Sequence, residues 1–253
     1  MRAFLRDFFY ILMKKWKWMV LMLLAAFTMQ WLIQQEGMMQ AELKPLQSWL
    51  LLLLRDPGLH INYRQFFFPL AWFAFHLAPT LLIADAIWKD HQSNGTLLMM
   101  QAGSRRTYFL AALSSGIVHL LLIQILLTLS VMLAAVAAGG SGWRMDLSHF
   151  LRIQSFFALE NGVLLLLFLV VALYFGYRAG LIVLLVWLGV VAFLPVQWLL
   201  GSGSLVFRQN FADPEGYEWM SNLMITAGYF IPLLGLYFWR SSRYDFLSEV
   251  YSS

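Results

Sequence analysis

Apolar residues in this chain run in long blocks separated by short polar interruptions, and a helix needs about 20 such residues to cross a bilayer. Six blocks reach or approach that length, at about 18–33, 66–88, 108–138, 154–175, 181–200 and 223–239. A seventh, the nine residues Leu46–Leu54, is too short to cross and reads as an interfacial or re-entrant helix on the outer side. Residues 1–17 follow a different pattern. Phe4, Leu5, Phe8, Phe9, Ile11 and Leu12 share one half of a helical wheel, with Arg2, Arg6, Asp7, Tyr10 and Lys14 on the other. That predicts an amphipathic helix on the membrane surface, its basic face toward anionic lipid. No small-x-small cleavage site follows the first apolar block, so the reading is a retained helix and not a signal peptide. The expected fold is an all-α integral membrane protein, a single transmembrane domain over residues 1–253.

Punctuation between the blocks sharpens the layout. Pro69 and Pro79 predict kinks or packing breaks in the second span. Gly139-Gly140-Ser141-Gly142 ends the third, and Trp143–Ile153 reads as a short outer loop. Gly176 to Gly180 predicts a tight turn, which makes spans four and five antiparallel neighbours. The segment 201–222 sets apolar and aromatic residues among acids and glycines on the outer side. No internal repeat is visible, which argues against an inverted-repeat secondary transporter.

Charge orients the chain. With the N-terminus inside, eleven of the seventeen Lys and Arg lie on the cytoplasmic side: Arg2, Arg6, Lys14, Lys15, Lys17, Lys89, Arg105, Arg106, Arg178, Arg240 and Arg243. Lys44, Arg55, Arg64, Arg144, Arg152 and Arg208 fall outside. The positive-inside rule therefore places both termini in the cytoplasm. The expected location is a cell membrane, crossed several times, of the bacterial plasma-membrane kind.

Composition supports this class and excludes others. The chain is 61% hydrophobic and 12% charged, with 21 Phe, 11 Trp and 10 Tyr, and leaves too little polar surface for a soluble globule. Its net charge of +4 comes from residues flanking apolar spans, so it reads as a topology signal and not as a nucleic-acid face. There is no cysteine, hence no disulfide, thiol catalysis or thiolate metal site. The chain has no Gly-x-x-x-x-Gly-Lys-Ser/Thr loop and expectedly no cofactor of its own. If ATP and Mg drive anything here, a partner subunit holds them.

The longest polar interruption on the cytoplasmic side is Asp85–Tyr108. Within it, Asn94-Gly95-Thr96 predicts a chain break with capping oxygens. Leu97-Leu98-Met99-Met100 then predicts a short greasy turn, closed by Gly103-Ser104 before the next long helix. An isolated turn of that size is unstable without something to pack against, so it reads as a docking element.

Polar residues, then Gly95-Thr96, then an apolar turn, then Ser104-Arg105 opening a long helix: this order resembles the cytoplasmic loop of ABC exporter permeases of the second type. Asp90, His91 and Gln92 stand where that family often carries a glutamate, and Ala102-Gly103 where it often carries a proline. The resemblance implies a coupling helix between spans two and three that seats in a separate ATPase subunit. Residues Asn94, Gly95, Thr96, Leu97, Leu98, Met99, Met100, Ser104 and Arg105 would form the dock. It further implies pairing with a second copy or a similar permease around a path, contact with membrane lipid, and a gate-like role for 201–222. No catalysis is expected in this chain. The other readings are a polytopic scaffold or assembly factor without a path, and an intramembrane enzyme should scattered ionisable groups converge.

Those groups are His76, Asp85, His119 and Glu160, costly inside a span and therefore informative. Asp85 is four residues before Lys89, which predicts a local ion pair. His76 and Asp85 are nine residues apart and point to opposite sides of one helix. His119 suits a bond across helices. Glu160 and His119 are candidates for a path or subunit interface, with a neighbouring helix or Arg152 as the alternative partner of Glu160. Ser114-Ser115-Gly116 reads as small-residue helix packing.

Overall fold

The computed structural model describes residues 2–38, 69–137, 147–205, 208–210 and 215–244. The Leu46–Leu54 segment, the glycine run at 139–142 and the tail from 245 lie outside them. Among the described residues six α-helices follow one another: α1 Arg2–Met38, α2 Leu70–Ala102, α3 Arg105–Ala137, α4 Leu147–Phe175, α5 Tyr177–Phe193 and α6 Trp219–Ser241. A short 3-10 turn, Ser202–Ser204, lies between α5 and α6. No strand occurs among the described residues; the one β-type contact is an isolated bridge between Gln209 and Tyr217. Among the described residues four helices, α2, α3, α4 and α6, are long and apolar enough to cross a membrane.

α4 is the centre of the bundle and packs against α2, α3, α5 and α6. Its leucine run is apolar all round because it is enclosed all round: Leu164, Leu165, Leu166 and Phe168 are fully buried. The helix starts well before Gln154. Phe150 and Ile153 are buried and Arg152 exposed, so the apolar period of the span continues back through the expected outer loop.

The expected surface helix and first span form one helix, α1, with no break at residue 17. No glycine or proline stands between Lys14 and Trp18 to interrupt it. Asp7, Ile11, Met19 and Ala26 form one buried stripe at helical spacing, and α1 packs chiefly on α3.

α5 differs most from expectation. It begins at Tyr177, directly after Gly176, whose φ of 86° makes the turn in one residue. It ends at Phe193, not at Leu200, and at 17 residues it is the short apolar helix of the set. Pro195 explains the stop: it forces Leu194 into an extended conformation, φ −110° and ψ 117°. The chain then folds back into the bundle, with Leu199, Leu200 and Leu205 buried. Gly180 keeps α5 close to α4: a Cβ there would sit 3.1 Å from the Phe168 carbonyl oxygen.

The α2 C-terminus also corrects the sequence reading. Asn94-Gly95-Thr96 does not break the chain, and α2 runs on to Ala102. Side chains satisfy one another along the helix, Ser93 Oγ donating to Lys89 O (2.7 Å) and Asn94 Nδ2 to Asp90 Oδ1 (3.2 Å). The helix ends where Gly103 takes φ 75°, and its N–H bonds Met100 O at 3.3 Å. The expected short docking turn is therefore the last part of a long helix.

Candidate functional site

Two places collect the chemistry. The first is the α2–α3 corner. Ser104 Oγ accepts the Thr107 N–H at 3.1 Å and so opens α3 as an N-cap. The corner is held from inside by aromatic rings around His91. Its ring stacks on Tyr108 at 5.9 Å between centroids, with Nδ1 3.3 Å from the phenol oxygen, and Tyr244 and Phe109 approach it at 4.8 and 5.3 Å. Asp85 ties the helix stems together. Its Oδ2 accepts from Lys89 on α2 at 3.1 Å, as its spacing predicted, and from Lys15 on α1 at 2.6 Å.

On this corner the expected docking residues divide. Asn94, Thr96, Leu97 and Met100 are exposed and Met99 partly so, whereas Gly95 is buried. Leu98 is also buried and belongs to the hydrophobic core, so it does not face a partner. Arg105 reaches Ser242 O at 3.5 Å, across to the end of α6.

The second place is a buried polar cluster where α2, α4 and the 3-10 turn meet. His76, one helix turn after Trp72 on α2, points at Asn161 and Glu160 on α4. His76 Nδ1 is 2.6 Å from Asn161 Oδ1, and Nε2 is 2.8 Å from Ser204 Oγ and 3.5 Å from Glu160 Oε2. Asn161 Nδ2 donates to Phe75 O (3.3 Å), which fixes its amide with the oxygen toward the histidine. His76 Nδ1 therefore carries a hydrogen, and Nε2 faces Ser204 and Glu160. The Gly203 N–H donates to Glu160 Oε1 at 2.9 Å, and Trp72 Nε1 donates to Ser204 Oγ at 2.8 Å. His76, Glu160 and Ser204 are all at most 1% exposed.

Glycine is what allows the approach. A Cβ on Gly203 would lie 2.8 Å from Glu160 Oε1 and 2.9 Å from a Phe156 ring carbon. The folded-back segment is held by its own polar side chains. Arg208, fully buried, donates from its guanidinium to the carbonyls of Val191, Leu194 and Ala192, at 2.8, 2.8 and 3.0 Å. Gln209 serves Ser202 O and Leu205 O, and Asn222 of α6 donates to Gln209 Oε1. Buried backbone carbonyls outside regular helix need partners, and these side chains supply them here.

Glu160 thus finds its partners in His76 and Gly203 and not in Arg152, which is exposed. His119 lies elsewhere, Nδ1 bonded to Ser115 O at 2.8 Å and its ring against Phe8 of α1. It meets α1 across the helix interface through Phe8. Sequence reasoning did not find Asn161, Ser204 or Arg208 in these roles. Pro195, followed by the Gly201–Ser204 run, was the available signal that the fifth block stops early and turns inward. Chemically the cluster can hold and share a proton. The Ser204 hydroxyl already serves His76 and Trp72 and lies 3.2 Å from Gly201 O, so its lone pairs and proton are engaged. Among the described residues no group of three or more His, Asp or Glu is placed to hold a metal ion. The chain matches no protein-family model, no curated protein and no solved structure.

Proposed function

We propose that this protein is the membrane subunit of an ATP-driven ABC exporter of the second type. It pairs with a second permease copy or a similar chain, and it docks a separate ATPase subunit on the α2–α3 corner. The observation that carries this reading is the tip of α2. Leu97 and Met100, at i and i+3, are 54% and 65% exposed on a corner that Leu98, His91 and Asp85 hold rigid from within. Apolar side chains presented that way on a charged, cytoplasmic corner suit a partner groove, and burying each contributes about 1.5–3 kcal/mol. Methionine repacks easily, which suits a joint that moves as the ATPases close.

In this reading the chain crosses the membrane six times, with both termini inside. α1 supplies the first crossing, and α5 with its folded-back segment the fifth. The N-terminal part of α1 touches the membrane surface. Leu5, Phe9, Met13 and Trp16 form an exposed apolar stripe beside exposed Lys14 and Lys17. The segment 201–222 acts as an outer gate, and the polar contacts of Gly203, Arg208 and Gln209 tie those described residues to the bundle. ATP binding draws the two docking corners together and shifts the bundle between access states.

Purification of the tagged chain from its native membrane tests the proposal. An ATPase subunit that co-purifies, and whose hydrolysis changes when the membrane subunit is removed, is the expected result. A chain that comes out without any ATPase under mild solubilisation contradicts it and favours the scaffold reading.

A further inference from the structure

We propose that His76, Glu160 and Ser204 form a binding site for one proton, and that this proton latches the folded-back turn onto α2 and α4. The inference does not depend on the transport reading.

Geometry carries it. His76 and Glu160 come from different helices, are at most 1% exposed, and meet at 3.5 Å. The third side of the cluster is the turn itself, through Ser204 Oγ on His76 and the Gly203 N–H on Glu160. Glu160 Oε2 makes no hydrogen bond in this arrangement. A carboxylate in that position, without a counter-charge, carries a desolvation cost that hydrogen bonds to Oε1 alone do not offset. One proton removes the cost, whether it rests on Glu160 or on His76 as the cation of an ion pair, because either placement leaves the cluster neutral.

Among the described residues no other charge pairs with the cluster. α2 brings only His76 to the pair, α4 only Glu160, and the turn only hydroxyl and backbone groups. Arg208, further along the same segment, is bonded to α5 carbonyls, Arg152 on α4 is exposed, and His119 on α3 faces Ser115 O and Phe8. Among the described residues no salt bridge or hydrogen bond links another ionisable side chain to the pair.

The sign follows. With the turn docked, the cluster holds one proton. With the turn undocked and wetted, a carboxylate of ordinary value near 4.3 and a histidine near 6.5 together hold none above about pH 6.5. Undocking therefore releases one proton above that pH, and its equilibrium constant rises about tenfold per pH unit. Between roughly pH 4.3 and 6.5 the open cluster also holds one proton, and the dependence vanishes.

The natural absence of cysteine makes the test direct. Ser202→Cys places one thiol on the turn at a buried position. Its labelling by a water-soluble maleimide is followed against pH in the purified full chain, alone and with Glu160→Gln or His76→Gln. The ratio of rates to a reference thiol at an exposed position, Ser93→Cys, cancels thiol ionisation. That ratio should rise about tenfold per pH unit above about pH 6.5. In the His76→Gln protein the rise should begin about two units lower, near the carboxylate value. A ratio flat with pH overturns the proposal. So does a Glu160→Gln protein that elutes as a folded species yet labels fully at every pH, since the neutral amide should keep the turn docked.

Discussion

Leu97 and Leu98 are adjacent on α2, yet Leu97 is 54% exposed and Leu98 only 6%. The helical twist of about 100° per residue is enough to send one outward and the other into the core. The two leucines therefore separate docking from stability. Leu98→Ala should cost about 2–5 kcal/mol in unfolding experiments in detergent, as for other buried leucines. Leu97→Ala should stay within about 0.5 kcal/mol. Equal losses at both positions would mean that the corner is packed differently.

Topology can be read with single cysteines on a cysteine-free background. Ser93 and Glu218 are both exposed, one near the α2 tip and the other at the start of α6. In intact cells, Glu218→Cys should react with an impermeant maleimide, and Ser93→Cys only after lysis. The reverse pattern would invert the chain and remove the cytoplasmic dock.

Arg208 should behave as a structural cap on α5. Arg208→Met keeps most of the length but leaves the carbonyls of Val191, Ala192 and Leu194 without their donor. The expected loss is roughly 3 kcal/mol or more, because each buried unsatisfied group costs about 1–3 kcal/mol. Chemical denaturation in micelles would measure it, and an unchanged midpoint would refute the capping role.

Asp7 gives a pH signature near the N-terminus of α1. The residue is 4% exposed, is paired with the neighbouring Arg6, and leaves Oδ2 without a partner. Burial holds this carboxyl above the usual carboxylate range, against the opposing pull of Arg6. The folded chain thus keeps a proton that the unfolded chain releases, so stability falls as pH rises from about 4 through the folded value. Asp7→Asn should be more stable than the parent at pH 7, with the difference shrinking toward pH 4. A constant difference in melting temperature across that range would show that Asp7 is not the group responsible.

Much of the architecture was legible because long apolar blocks have few alternatives to helices. The corner between α2 and α3 was located correctly by Gly103 and Ser104, and the Asp85–Lys89 pair by its spacing. The failures have specific causes. Asn94-Gly95-Thr96 carries break signals, but a glycine costs only about 1 kcal/mol in a helix, and side-chain bonds and core packing on this stretch outweigh that. The end of α5 was misplaced because hydropathy continues past Pro195 while helical geometry does not. Glu160 was flagged by its cost inside a span, but its partners come from sequence positions 84 residues earlier (His76) and 43 later (Gly203). No local pattern encodes such a meeting.

Leu97→Asp combined with Met100→Asp removes the apolar surface of the proposed dock. Both side chains are exposed, so the double variant should insert, fold and pair like the parent, as judged by its elution in detergent. Its measured quantity is ATP hydrolysis by the co-purified subunit, with and without the membrane protein. Loss of co-purification, or hydrolysis that no longer responds to the membrane subunit, is the predicted result. A folded double variant that binds the ATPase and modulates its hydrolysis as the parent does would contradict the account.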